Sequence, residues 1–391
     1  MKFAFLIFKY FPFGGMQRDM LRIARELVKR GHTVDIYAIS WQGDLPEGAI
    51  KVHLIPATGL FNYRRYQRFI GAAHERIAEA ARRGDGYDLI LGFNRMHGLD
   101  VYFGADPCFI ERAHRQRNFL YRLTPRYRWF AECERLIFSA QSSCDILLLS
   151  NREKADFQRW YRTPDSRFHF VPPCLSTERF ALQDRAAMRA HLRKAFGFGA
   201  DDFVFLLVGS GFYMKGLDRA IKALAAIPAD QRTGVRLVAV GQDNPRPFLR
   251  MAQKLGVSAH LSIAKGRPDI PQLMQGADVY VHPAYRENTG LVILEALASG
   301  LPTLVTESCG YASHVEAADA GLVAPLPFDQ DNFNQLFHTM LVSERKAEWR
   351  RNGRAYAERI MAANDGGAEA EILIGLAERK RNQAQAGSHG R

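Results

Sequence analysis

Short apolar runs recur along this chain at intervals long enough to hold a helix between each pair. The first half gives "FAFLIF", "TVDIYAI", "KVHLIPA", "DLILGF" and "DILLLS". Between the first two, Met20, Leu21, Ile23, Ala24, Leu27 and Val28 follow a helical period, which predicts a helix over about 15–30. The second half gives "FVFLLVGS", "VRLVAVGQ", "LSIAKG", "ADVYVHPA" and "PTLVTES", each followed by a helix-length interval. Near-continuous apolar strands alternating with helices belong to parallel sheets covered on both faces. Two such series predict an α/β protein of two Rossmann-like, doubly wound domains facing a central cleft. The seam is placed at "FHFVPPCLSTERF", where Pro172-Pro173 ends a strand. The domains are set at 1–167 and 168–355, and the polar, basic helical stretch near the C-terminus (356–391) packs back across the seam.

A length of 391 residues fits two domains better than one core. Apolar content of 47% and charged content of 24% exclude a disordered chain. "FAFLIF" is interrupted by Lys9, too soon for a signal peptide, and no run reaches the ~18 apolar residues of a spanning helix. Five cysteines without a CxxC pair read as reduced thiols of a cytoplasmic protein. A net charge of +12 calls for an acidic partner: a membrane surface, nucleic acid or a phosphorylated substrate.

In open α/β sheets ligands bind at the carboxyl ends of the strands, so the loops there are where chemistry is sought. After the first strand, Gly14-Gly15 open a helix and let backbone N–H groups approach an anion, or simply make a tight turn. The second half opens with "LLVGSGFYMKGLDRAIKAL". Met214 takes the third glycine position of a dinucleotide fingerprint, so that motif fails, and no Walker A sequence is present. What remains is Lys215 beside a helix start near Gly216, suited to a diphosphate or to solvent. Gln242, Asp243 and Arg267 lie in further strand-end loops, where they read a base or ribose, or cap helices.

The segment "HPAYRENTGLVILEALASGLP" poses a sharper question. The helix expected from Gly290 is apolar on most faces, yet Glu295 sits inside it, and burying an unpaired carboxylate costs several kcal/mol. Glu295 is therefore capped, paired with an arginine, or holding a polar ligand. Glu287 precedes the helix, where the amides of Asn288, Thr289 and Gly290 would face a ligand; otherwise it is a solvated loop residue.

The two glutamates, separated by seven residues, resemble the motif of the retaining glycosyltransferases of family 4, which have the GT-B fold. The likeness extends over the chain through "KYFPFGGMQRDMLRIA", "GFNRMHGLDVYFGAD", "FLYRLTPRYR", "VGQDNPR" and "HPAY", and is similar to the lipopolysaccharide core glucosyltransferases of that family. It implies a UDP-hexose donor bound by the second half and a lipid A-core heptose acceptor bound by the first. It implies that Glu295 holds the ribose, Glu287 and the following amides the hexose, and Lys215 the diphosphate, with Gly15 approaching from the other domain. Ser210, Gln242, Arg267, Asn288, Thr289, Gly290 and Leu291 complete the implied donor set, and Asp19 and Asp100 join Glu287 beside the sugar. No cofactor and no metal are implied, since a lysine and helix dipoles neutralise the leaving group. The "DQD" string at 329–331 reads as a helix cap, not a metal site. The resemblance implies transfer with retention, with no glycosidase-like nucleophile evident. The chain departs from the family at Met214, where relatives carry arginine, and at "ENTG", where they read Glu-Ala-Ala-Gly; the second change sits beside the hexose and leaves glucose and an N-acetylhexosamine both open.

Between 112 and 130, "RAHRQRNFLYRLTPRYRWF" holds six arginines, five aromatics and no acid. Arginine with interfacial aromatics suits a membrane surface, and equally a single-stranded nucleic acid or a solvated helix face. Docking on an anionic inner membrane is the expectation, on its cytoplasmic side and with no nucleic acid partner. It would use Arg112, Arg115, Arg117, Tyr121, Arg122, Arg126, Arg128 and Trp129, with phosphates of the acceptor as further partners. The competing classes are a UDP-sugar epimerase of the same fold and a non-enzymatic basic membrane- or RNA-binding protein.

Overall fold

The structure is a computed structural model that describes residues 1–12, 14–175, 180–364 and 366–389. The chain forms two compact units, Met1–Pro172 with Gly366–Arg391, and Pro173–Asp365. Within the expected seam, 176–179 lie outside the described residues.

Among its described residues the first unit holds seven strands: β1 Lys2–Tyr10, β2 Thr33–Trp41, β3 Ile50–Leu54, β4 Leu89–Gly92, β5 Val101–Gly104, β6 Asp145–Leu148 and β7 Phe168–Phe170. They are parallel throughout, in the order β3-β2-β1-β4-β5-β6-β7. Side chains alternate along β1, so Phe3, Phe5 and Ile7 join one core while Ala4, Leu6 and Phe8 join the other. The first core is closed by helices Gly15–Lys29 and Ala368–His389, the second by helices Asn62–Arg82 and Pro125–Phe138.

The second unit repeats the plan with β8 Phe203–Val208, β9 Val235–Val240, β10 Leu261–Ala264, β11 Val279–His282, β12 Thr303–Thr306 and β13 Gly321–Ala324. Its order is β10-β9-β8-β11-β12-β13, again all parallel. In both sheets the order reverses beside the first strand, between β1 and β4 and between β8 and β11. Such a switch point opens a crevice at the carboxyl ends.

The structure moves both expected boundaries. β7 pairs with β6 in parallel, Ile146 against Phe168, so 168–172 belong to the first unit. Helix Lys346–Ala363 stays with the second unit, where it buries Trp349, Gly353, Ala357 and Met361. The return to the first unit begins at Gly366, ten residues later than expected. Ala370, Leu373, Leu376 and Ala377 then fill one stripe of helix Ala368–His389 against the first sheet. Arg22 fastens its start by donating to both oxygens of the buried Glu369 carboxylate and to Gly366 O.

Candidate active site

Three strand-end loops of the second unit are locked together. In the loop after β8, Phe212 N donates to Asp243 Oδ2 (2.8 Å), and Ser210 Oγ accepts from Gln242 N (3.0 Å). Tyr285 N, beyond β11, donates to Met214 O (2.9 Å). Gly216 adopts φ +76°, and a Cβ there would lie 2.0 Å from Pro283 O, so no other residue fits this approach. Arg219, on helix Leu217–Ala226, donates to Pro283 O and Ala284 O at 3.1 Å each. Its guanidinium is sandwiched 3.6 Å from the ring centres of Tyr285 and Phe328. Asp218 accepts from Tyr285 Oη (2.7 Å). Asp218 and Arg219 support the site, yet nothing in their spacing marks them in the sequence.

At the centre of these loops Glu287 forms an ion pair with Lys215. His282, at the end of β11, brings Nε2 to 3.5 Å from the same carboxylate oxygen. Burial would raise the Glu287 pKa, but the imidazole contact and the Lys215 charge outweigh it and hold the carboxyl down at about 2. Glu287 is thus not a solvated loop residue: its side chain is 18% exposed. Its backbone is fixed as well, Glu287 N donating to Ser308 O and Gly310 N to Glu287 O.

Gly290, at φ +86°, caps helix Leu291–Ala298, and a Cβ on it would crowd Ile293 and Glu287 Cγ. Glu295 lies in that helix at 7% exposure, among buried Ile293, Leu294, Ala296, Leu297 and Ala298. Asn288 is buried; Thr289 and Leu291 are half-buried. Glu287, Lys215, Ser210 and the amides of 288–290 therefore come from loops at the carboxyl ends of neighbouring strands β8 and β11, and Glu295 from the helix that follows the second loop. An arrangement of acceptors, a cation and a helix N-terminus suits a ligand with both hydroxyls and phosphates.

Arg267 forms a bidentate pair with Asp269 (2.8 and 2.7 Å), and Asp269, held down at about 2 by that bond despite burial, also meets His191. Gln242 is exposed at the end of β9, whereas Asp243 is a loop lock. The "DQD" string does cap a helix: Asp329 accepts from Asn332 N (2.7 Å) ahead of Gln330–Val342. Among the described residues no group of three or more His, Cys, Asp or Glu side chains is set to hold a metal ion. No disulfide joins any of the five cysteines.

In the first unit, a Cβ on Gly14 would meet the ends of the Gln17 and Phe11 side chains, whereas one on Gly15 would meet no described atom within 4 Å. The space above Gly15 is open at the ligand end of β1. Asp19, one turn further along the helix, contacts Arg22 (3.4 Å), and burial raises its carboxyl pKa. Asp100 is misplaced by the sequence reading. It precedes β5 and accepts from Ile90 N (2.8 Å) and Lys380 Nζ (2.6 Å), at the amino ends of the strands. It pins the return of the chain and the C-terminal helix. Asp106, six residues on and past the carboxyl end of β5, faces buried Arg95 at 3.7 Å and is the acid at the ligand end.

The basic segment folds as helices Phe109–Gln116, Phe119–Arg122 and Pro125–Phe138. Buried Glu134 accepts from Phe109 N, Ile110 N and Tyr161 Oη and pairs with Arg95, fixing the segment to the domain. Arg112, Arg115, Arg117, Arg126 and Arg128 are exposed, although Arg115 pairs with Glu111. Arg122 is half-buried beside His114, and Tyr121 beside Arg117. Trp129 is not a surface anchor; it packs inward near Tyr66 and Phe130. The exposed apolar residues are Phe119 (66%), Leu120 and Leu123. Beyond β3, Leu60 and Phe61 are also exposed, followed by Arg64, Arg65 and Arg68 on a helix that touches the basic segment through Tyr66. No helix among the described residues is long and apolar enough to cross a membrane.

Two parallel α/β units, the second with an acid pair and a lysine at its switch point, define a GT-B glycosyltransferase. The model of the glycosyl transferases group 1 matches residues 188–356, and that of glycosyltransferase family 4 matches 13–179. The chain is 40% identical over 356 residues to the lipopolysaccharide glucosyltransferase WaaG of Escherichia coli (strain K12), covering 91% of this chain and 94% of that one. A D-inositol 3-phosphate glycosyltransferase of Saccharomonospora viridis is 25% identical over 89% of this chain and 86% of its own. A crystal structure of WaaG superposes with a TM-score of 0.89 at 39% identity, over 95% of this chain and all of that one. The chain belongs to this glycosyltransferase family and is a hexosyltransferase.

Proposed function

We propose that the chain moves glucose, or an N-acetylhexosamine, from a UDP-sugar to a heptose of the lipopolysaccharide inner core, with retention and without a metal. The observation that carries this reading is the Lys215–Glu287 pair beside Glu295 at the ends of β8 and β11. The donor diphosphate competes for Lys215, and the helix N-termini at Gly216 and Gly290 add to its neutralisation. Glu287, released from the lysine, accepts hydrogen bonds from hexose hydroxyls, while the amides of 288–290 donate to the sugar. Glu295 takes the ribose hydroxyls. The bond from the anomeric carbon to UDP breaks and the bond to the acceptor oxygen forms on the same face; the acceptor proton passes to the departing β-phosphate. The relative at 40% identity is named a lipopolysaccharide glucosyltransferase, which supports this acceptor class. Both family models and the reported relatives are glycosyltransferases, leaving the epimerase and basic binding-protein readings without support. The test is transfer from UDP-glucose, UDP-galactose and their N-acetylated forms to heptose-terminated lipopolysaccharide, with Glu287→Ala as control and chelator present. Use of one donor, an inactive control and no effect of chelation are expected.

The enzyme is further read as docking on the cytoplasmic face of the anionic inner membrane. Two arms support it: the 117–128 arginines with Phe119, Leu120 and Leu123, and Leu60-Phe61 with Arg64, Arg65 and Arg68.

A further inference from the structure

His282 is fully buried at the end of β11, with nothing in the mechanism above to do. Its Nδ1 lies 2.9 Å from the hydroxyl of Tyr280, another buried side chain of the same strand. That hydroxyl is 3.4 Å from Val208 O, so its shorter and better contact is with the ring. Nε2, by contrast, is buried without a hydrogen bond of good geometry, and Glu287 stands 3.5 Å away, at the limit of bonding distance, where the contact already helps to hold its carboxyl down. A buried polar atom without a partner is costly, and this one faces the carboxylate at the centre of the site. Burial, with Lys215 nearby, keeps the ring neutral, so it carries one proton. With Tyr280 donating to Nδ1, that proton sits on Nε2 and points at Glu287.

The donor must take Lys215 for its diphosphate, which strips Glu287 of the ammonium it is paired with. We propose that His282, fixed as the Nε2–H tautomer by Tyr280, is the positioning residue that holds Glu287 ionised and aimed at the sugar once Lys215 has turned to the diphosphate. The inference rests on the donor reading of Glu287 and Lys215. Glu287 pairs with Lys215 from the loop after β8 and contacts His282 on β11, its backbone bridges to Cys309 after β12, and its charge, with those of Cys309 and Glu295, acts on Tyr280. Lys215 and His282 each present an N–H group to its carboxylate.

The experiment compares wild type, His282→Met, His282→Gln and Tyr280→Phe across pH in hexose transfer from whichever of UDP-glucose, UDP-galactose and their N-acetylated forms the wild type uses, with thermal unfolding and UDP binding measured alongside. Met fills the space without a donor, whereas the Gln amide offers an N–H near the Nε2 position. His282→Met is expected to lose about tenfold or more in kcat/KM, to bind UDP as wild type does, and to shift the acid limb of its pH profile upward. His282→Gln recovers most of the loss, and Tyr280→Phe shows the same upward shift in smaller measure. Wild-type behaviour of His282→Met, or equal losses in Met and Gln, would overturn the inference while leaving the donor reading intact. A wild-type enzyme that transfers no hexose at all would overturn the donor reading and this inference with it.

Discussion

Glu287 shows how little a residue's surroundings can be read from its neighbours in sequence. The motif marks the glutamate, but its ion pair is with Lys215, 72 positions away, brought over by β8 and β11 lying side by side. The same distance effect misleads at Asp100 and Asp106. Both fall in "GLDVYFGAD", and only the strand between them decides that one faces the amino end of the sheet and the other the ligand end. Proton linkage gives a test at this scale. The folded Glu287 pKa lies below the ordinary carboxylate value, so its contribution to stability is complete above that value and is lost as pH falls toward about 2. Denaturant midpoints of wild type and Glu287→Gln should keep a constant gap above about pH 5 and draw together below it. A gap independent of pH would show that Glu287 is not the paired group described.

At the scale of elements, long buried strands announce themselves, and β1, β2, β8 and β9 are each at least six residues of mostly apolar sequence. β5 and β13, four residues each with a glycine at one end, do not stand out from the loops around them as apolar runs. The C-terminal helices are legible as helices, but their polar composition hides the stripe of Ala370, Leu373, Leu376 and Ala377 that assigns the last one to the first sheet. Leu373→Ala should therefore destabilise the first unit by about 2–5 kcal/mol, seen as a lower denaturation midpoint. Gly216→Ala is argued from the loop it turns. A positive φ and a Cβ 2.0 Å from Pro283 O force the loops after β8 and β11 apart. UDP affinity should fall by at least tenfold, measured by calorimetry, with Gly211→Ala, where a Cβ meets nothing within 4 Å, affected less.

For the whole molecule, a net charge of +12 that includes an arginine-rich, apolar-tipped surface predicts salt-sensitive attachment to anionic lipid. The protein should sediment with phosphatidylglycerol vesicles, release as salt rises, and ignore phosphatidylcholine. Phe119→Ser with Leu120→Ser should weaken this, and Leu60→Ser with Phe61→Ser should weaken it separately; binding unchanged by both pairs would refute the docking surface. The donor chemistry is tested most directly by the anomeric configuration of the product. Transfer of labelled hexose from its α-linked UDP donor to heptose-terminated lipopolysaccharide, followed by NMR of the new linkage, should give an α-glycoside that disappears with Glu287→Ala. A β-linked product, or transfer undiminished in that variant, would contradict the account.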